Sequence, residues 1–275
     1  GVTGPLILLN YTHNGTTLDY NFGQKGFEYT PPTGYKAIQQ DNLPETGKGV
    51  SGFTWLKDRD NSTNHYLVDS SRNYKNALYS NSTGAEVFLT AGLRNPLKGG
   101  FEVLDGDPVN GSGRSFISWN WVANGGTTSA NTDGSGATLA STIQANQTAG
   151  FSVVQYTGNA TAGAKVAHGL SAAPKWILVK RLDSTGNWYH YHASMGATKY
   201  QGGTNAAFAT SALTWNNTAP TSSVFSLGSG DTNTNTANFV AYCWNEVSGY
   251  SRFGIYTGNG SCLLYTSDAA DDDHC

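Results

Sequence analysis

A tryptophan and two histidines alternate with tyrosines along one short stretch, Trp188-Tyr-His190-Tyr-His192. Side chains on an extended strand alternate between faces, so Trp188, His190 and His192 share one face and Tyr189 and Tyr191 the other. An exposed indole flanked by two imidazoles can stack on a sugar ring or an aromatic ligand, and these three are the candidate ligand-binding residues. The plainer alternative, and the preferred one, is a sheet face covered by a loop or a neighbouring subunit. His190-x-His192 is also a spacing that metal sites use. The sequence supplies no clear third ligand beside it, so no metal and no cofactor is assigned. Glu102, Asp105 and Asp107 cluster around a glycine turn like half a calcium loop. They lack the rest of the ligand series and read as a solvated turn.

Other reaction chemistry finds little purchase. Glycoside hydrolysis normally needs two carboxylates flanking the bond, and the only strand-end candidate is Glu246, beside Trp244 and Val247. There is no G-x-S-x-G elbow and no P-loop lysine. Cys243 sits between Tyr242 and Trp244, where apolar surroundings raise a thiol's pKa and blunt it as a nucleophile. No catalytic residue is assigned, and the chain is not expected to be an enzyme.

The elements that must position these residues follow from an internal repeat. Gly52-Phe-Thr-Trp-Leu-Lys-Asp-Arg59 lies over Lys175-Trp-Ile-Leu-Val-Lys-Arg-Leu182 at an offset of 123, which also places Tyr66 over Tyr189. Phe116-Ile-Ser-Trp-Asn-Trp121 lies over Phe239-Val-Ala-Tyr-Cys-Trp244 at the same offset. Between them, Phe101-Glu-Val-Leu104 and Phe225-Ser-Leu-Gly228 match one residue out of phase. A related strand and turn follows each copy, Val154-Gln-Tyr-Thr-Gly-Asn159 and Gly254-Ile-Tyr-Thr-Gly-Asn259. Ile117, Trp119 and Trp121 match Val240, Tyr242 and Trp244 in shape, so this retained face reads as core. Trp188, His190 and His192 lie over His65, Leu67 and Asp69, chemically unrelated residues, as expected of a solvent face.

Short runs rich in Phe, Trp, Tyr, Val, Ile and Thr recur between Asn-Gly and Asp-Gly turn signals, and no persuasive helical period appears. Only the alanine-rich stretch from Thr204 to Leu213 suggests a short helix, against its Thr and Ser content. The pattern predicts an all-β chain of tandem antiparallel β-sandwich domains, concanavalin-like or jelly-roll. Residues 1–40 read as the C-terminal remnant of an upstream β domain plus linker, 41–145 as the first sandwich repeat and 146–261 as the second, truncated. Cys262-Leu-Leu-Tyr-Thr-Ser-Asp-Ala-Ala-Asp-Asp272 resembles an in-frame translation of a transposase sequencing adapter, so 262–275 are set aside as an artefact.

Without that tail, 15 acidic residues stand against 16 basic ones, since Asp268, Asp271, Asp272 and Asp273 are removed from a total of 19. Only Cys243 of the three cysteines remains, which excludes a disulfide within the natural part of the chain. Charged residues are 13% of the sequence, about half the usual share. No basic field exists to hold nucleic acid, and no apolar run is long enough to insert in a membrane. Abundant aromatic and β-branched residues argue against disorder.

Asp19-Tyr-Asn-Phe-Gly-Gln24, Phe27-Glu-Tyr-Thr-Pro-Pro-Thr-Gly-Tyr35 and Asn42-Leu-Pro44 resemble the junction that follows a SPRY-type lectin-like sandwich in phage tail or virion proteins. Gly150-Phe-Ser-Val-Val-Gln-Tyr-Thr-Gly158, His168-Gly-Leu-Ser-Ala-Ala-Pro-Lys-Trp176 and Tyr242-Cys-Trp-Asn-Glu-Val247 resemble the sandwich domains of uncharacterised marine-phage structural proteins. The resemblance implies a virion location and a tail fibre or appendage, with other virion proteins and host-surface glycan as partners and homo-oligomerisation as a further option. It brings no catalytic residues. The competing expectations are a secreted bacterial carbohydrate-binding or adhesion module, and a polysaccharide depolymerase acting through Glu246.

Overall fold

The computed structural model describes residues 52–97, 100–104, 106, 108–123, 127–129, 135–203 and 206–260. Gly49–Cys275 group as one compact unit, separate from Gly1–Lys48, and all of the described residues belong to that larger unit. The expected upstream remnant and the adapter-like tail lie outside the described residues, as do Asp105 and Asp107.

The chain is all-β, built from tandem antiparallel sheets packed as sandwiches. The first sheet holds β1 (Gly52–Asp58), β2 (Tyr66–Asp69), β3 (Asn76–Tyr79), β4 (Val87–Phe88) and β7 (Phe116–Val122), in the order β4-β3-β2-β1-β7. A two-stranded ribbon of β5 (Leu93–Leu97) and β6 (Gly100–Val103) covers its outer face. Then come β8 (Thr127–Ser129), β9 (Ser141–Asn146), β10 (Phe151–Thr157), β11 (Ala164–Ala167), β12 (Trp176–Arg181), β13 (Trp188–His192), β14 (Lys199–Gly202), β15 (Phe208–Thr210), α1 (Ala212–Trp215), β16 (Val224–Leu227) and β17 (Asn238–Trp244). The second sheet runs β15-β14-β13-β12-β17-β10-β9-β8, and β11 pairs with β16 across its outer face. β8 and β9, which precede residue 147, therefore belong to the second sheet.

The repeat is written into the hydrogen-bond register. Phe53 pairs with Asp69 and Trp121, and 123 residues later Trp176 pairs with His192 and Trp244. Leu56 pairs with Tyr66 and Ser118, as Val179 pairs with Tyr189 and Ala241. The next strand follows suit, with Tyr66 opposite Tyr79 and Tyr189 opposite Gly202. A one-residue slip would turn every side chain to the other face, so the shared register means shared faces. The strand order β4-β3-β2-β1-β7 is repeated as β15-β14-β13-β12-β17. The alanine-rich stretch becomes β15 followed by the single turn of α1, whose N-cap Ser211 accepts a hydrogen bond from Leu213 N. The turn sends Trp215 into the core at 2% exposure.

Apolar side chains fill three seams. Leu56, Tyr66, Val68, Ala77 and Leu93 pack between the first sheet and its ribbon. Val154, Val166, Ile177, Tyr191, Trp215, Phe225 and Phe239 pack between the second sheet and its cover. The middle seam joins the two sandwiches back to back, with Phe53, Leu67 and Leu78 meeting Phe151, Val153, Leu178, Trp188, Val240, Tyr242 and Trp244. β17 serves both of its faces, Phe239, Ala241 and Cys243 pointing to one seam and Val240, Tyr242 and Trp244 to the other. A strand covered on both sides reads as a continuous apolar run. At the middle seam the Phe53 ring lies 4.4 Å from Tyr242 between centroids, and Trp121 lies 5.8 Å from Trp244.

A polar network crosses the same seam. Arg72 Nε donates to Asp69 Oδ2 at 2.6 Å, and Arg72 Nη2 donates to the Tyr242 hydroxyl at 3.0 Å. That hydroxyl donates in turn to Asp69 Oδ2 at 2.7 Å. Arg72 Nη1 meets Glu86 Oε2 at 2.5 Å, and Gln155 Nε2 of the second sheet donates to Ser71 O at 2.9 Å. Buried charges persist only when paired and hydrogen-bonded, and removing one partner costs about 3–5 kcal/mol.

The shared seam predicts one cooperative unfolding transition for both sandwiches. Phe53→Ala should lower stability by about 3–5 kcal/mol, and Asp69→Ala by a similar amount through the stranded Arg72. In urea melts, fluorescence and far-UV circular dichroism should move together in both variants; two separated transitions in the wild type would refute the coupling.

Candidate functional site

Trp188, His190 and His192 do share a face, but the face is turned toward the other sandwich. Trp188 is 1% exposed, and its Nε1 donates to Tyr79 O at 2.9 Å and to Ser82 O at 3.1 Å. The loop from Tyr79 to Gly84 is the cover. Lys180 pins it, with Nζ donating to Thr83 O at 3.2 Å and Gly186 O at 3.0 Å. Gly186 N donates to Thr83 O and Glu86 N to Leu182 O, both at 2.9 Å. An indole in this position has no surface left for a sugar, which corrects the exposed-face reading in favour of the covered one. His190 is half-buried and stacks on Trp176 at 6.3 Å. His192 accepts from Ser194 N at 3.3 Å through Nδ1. Among the described residues no group of His, Cys, Asp and Glu is arranged to hold a metal ion.

The exposed aromatic platform lies in the first sheet instead. Trp119 on β7 is 41% exposed, although its counterpart Tyr242 is fully buried. Its ring lies edge-to-face with Trp55 on β1, with centroids 5.8 Å apart and planes at 66°. Trp55 Nε1 donates to His65 Nδ1 at 2.9 Å, which fixes both rings and assigns the His65 proton to Nε2. Amide side chains continue the surface, since His65 N donates to Asn81 Oδ1 and Asn81 Nδ2 to Asn64 Oδ1, each at 3.0 Å. Ile117, two residues from Trp119 on the same face, is 39% exposed. Two locked indoles beside an imidazole and several amides offer a ring-stacking surface edged with hydrogen-bonding groups.

Register explains why the matched face differs between copies. β17 lies inside its sheet, with β10, β9 and β8 continuing beyond it, so the seam is centred on its side chains. Among the described strands β7 is the last of its sheet, and the described side chains of the middle seam leave Trp119 and Ile117 partly exposed. Matching Trp119 to Tyr242 and Trp121 to Trp244 therefore identifies the right face but not its cover. Trp121 does pack on the seam. The available signal is that Trp55 and His65 stand where the second copy has Leu178 and Trp188.

Elsewhere, Glu246 Oε1 accepts from Phe253 N at 3.1 Å, and Oε2 lies 3.9 Å from Lys175 Nζ. Cys243 is buried, and desolvation pushes its thiol pKa up. A polar hollow of about 300 Å³ is lined by Thr83, Arg181, Asn187, Tyr189 and Asp231. Its charges are already engaged, Arg181 Nε with Asp183 at 2.6 Å and the Tyr189 hydroxyl with Asp231.

The chain belongs to the family described as Domain of unknown function (DUF7483), whose model matches residues 33–266. No curated protein and no solved structure matches it.

Burial sets the titration of the covered histidines. His190 is pushed down to about 4 by desolvation, and His168 to about 4 by the same cause, partly opposed by its hydrogen bond with Thr221 O. His168 is fully buried and accepts from Leu170 N through Nδ1 at 3.1 Å. A histidine whose folded pKa lies below its unfolded value leaves stability complete above about 6.5 and drains it as the pH falls toward 4. Imidazole carbon shifts should show both rings neutral at pH 5, and the urea midpoint should fall between pH 6.5 and 4. His168→Asn should flatten that slope; an unchanged slope, or a His168 ring charged at pH 5, would overturn the assignment.

Proposed function

We propose that the protein is a structural and adhesive component of a phage virion, part of a tail fibre or appendage, which contacts neutral host-surface glycan through the Trp55–Trp119 platform. The observation that carries the binding reading is Trp119 itself, a large apolar ring left 41% exposed on a rigid strand, locked edge-to-face on an indole that is hydrogen-bonded to His65. Pyranose rings present C–H faces that stack on indoles, and their hydroxyls bond to amides and imidazole. The low charge of the chain, 13% Asp, Glu, Lys and Arg, suits an uncharged polysaccharide better than an anionic one. The virion location rests on the resemblance of the repeat motifs to marine-phage structural proteins. A stack of sandwiches suits that setting, because a stiff scaffold holds a recognition surface apart from its attachment.

A glycan array probed with the protein should give hits among neutral polysaccharides. Trp119→Ala should weaken the best hit at least tenfold, about 1.4 kcal/mol, while far-UV circular dichroism shows the fold retained. An array without hits would refute the adhesive reading and leave a purely architectural role. Binding that survives Trp119→Ala would move the site elsewhere.

A further inference from the structure

The hydrogen bonds around the Trp55–Trp119 platform have a fixed direction, and that direction decides what the surface offers a ligand. Two chains of bonds run through it, and each begins at a group that can only donate. An indole N–H has no acceptor capacity, so Trp55 Nε1, donating to His65 Nδ1 at 2.9 Å, leaves the imidazole proton on Nε2. Burial and the Lys57 ammonium both lower the pKa of His65, so the ring is neutral at pH 7. The second chain begins at the backbone N–H of His65, which donates to Asn81 Oδ1 at 3.0 Å. That bond settles the orientation of the Asn81 amide. Asn81 Nδ2 then donates to Asn64 Oδ1 at 3.0 Å, which settles Asn64 in turn and makes its Nδ2 the end of the chain.

Both chains therefore terminate in N–H groups, His65 Nε2 and the Asn64 amide, on residues that are partly exposed. The cation that acts on His65 is engaged elsewhere, since Lys57 Nζ donates to the carbonyls of Asp58 and Asn61, the latter at 2.8 Å. Apolar surface lies alongside. Trp119 and Ile117 are alternate, exposed residues of β7, paired with Trp55 and Lys57 of β1. The combination is a ring face, a branched aliphatic side chain and neutral donors. A plain sugar hydroxyl both donates and accepts, so donors alone do not distinguish it from water. A carboxylate accepts, but with Lys57 engaged it would exchange its hydration for uncharged partners. A ring-borne acetamido group meets every condition, because its carbonyl accepts, its methyl group is apolar and it carries no charge.

We propose that the platform is selective for 2-acetamido sugars: the pyranose ring stacks on Trp119, the acetamido carbonyl accepts from His65 Nε2, and the methyl group packs toward Ile117. The proposal rests on the glycan-binding reading of the same platform and names its substrate class. His65 then has two separable roles. Its Nδ1 holds the Trp55 ring in place for any sugar, whereas its Nε2 is used by acetamido sugars alone. Trp188 stands at the equivalent position of the second copy, so selectivity belongs to the first copy, as the platform does.

The test uses two oligosaccharides that differ only in the substituent at carbon 2, tri-N-acetylchitotriose and cellotriose, in calorimetric titrations. The wild type should bind the chitotriose about tenfold more tightly or better, for one added hydrogen bond and one covered methyl group. His65→Phe should weaken both ligands by releasing Trp55 and should bring their affinity ratio to about one. A His65 that only positions Trp55 would weaken both alike and leave the ratio as it was. The wild-type comparison requires no variant, so it decides the matter even if His65→Phe fails to fold. Cellotriose bound as tightly as the chitotriose, a chitotriose that does not bind, tighter binding of trigalacturonate, or a ratio untouched by His65→Phe would each overturn the selectivity. Chitotriose binding that survives Trp119→Ala would overturn the platform itself.

Discussion

The contact between Arg72, Asp69 and Tyr242 is the constraint on which the two sandwiches depend. A guanidinium and a carboxylate lie where water does not reach, and each has its hydrogen-bonding capacity met only when Tyr242 arrives from the other sheet. Desolvated charge tolerates little misplacement, so the network fixes how one sheet lies on the other more sharply than the surrounding rings could. Phe53, Phe151 and Trp244 supply most of the buried area but would accept small slides. The single hydroxyl of Tyr242 would not. The counterpart of Asp69 in the second copy is His192, so the network belongs to the first copy's side of the seam.

Much of this fold is legible in the sequence, because duplication converts alignment into geometry. The offset that places Phe53 over Trp176 is the offset that governs their pairing with Asp69 and His192. Faces follow with equal clarity, because alternation alone puts Trp188 with His190 and Trp119 with Trp121. What alignment does not carry is the identity of the layer above a face. Trp188 is hidden by a loop whose closure depends on Lys180 reaching three carbonyls of Thr83, Arg181 and Gly186, a contact that spans both copies. Trp119 is partly exposed on the strand that comes last among the described strands of its sheet. Both facts concern the width and stacking of sheets, which no local pattern encodes.

The division of labour within the molecule is correspondingly uneven. The second sandwich is a wide sheet with both faces occupied, and β17 at its centre has little freedom to acquire a ligand. Among the described residues the first is narrower, its outermost strand carrying aromatic side chains into solvent on a backbone held by seven paired residues of β1. Family membership assigns no chemistry to either. The Trp55–His65 hydrogen bond belongs to the first copy alone, since Leu178 and Trp188 stand at the equivalent positions, so the copies have diverged where one remained open to solvent.

The back-to-back seam carries an evolutionary corollary. It joins the same face of both copies, so a single ancestral unit would have shown an apolar surface and associated with its twin only above a threshold concentration. Tandem fusion makes that association intramolecular, at the millimolar effective concentrations that short tethers provide. The pairing then no longer weakens on dilution. Freed from self-complementarity, the two halves could drift apart residue by residue, and the present asymmetry between a sealed half and an open one is what such a fused dimer can reach and a symmetric one cannot.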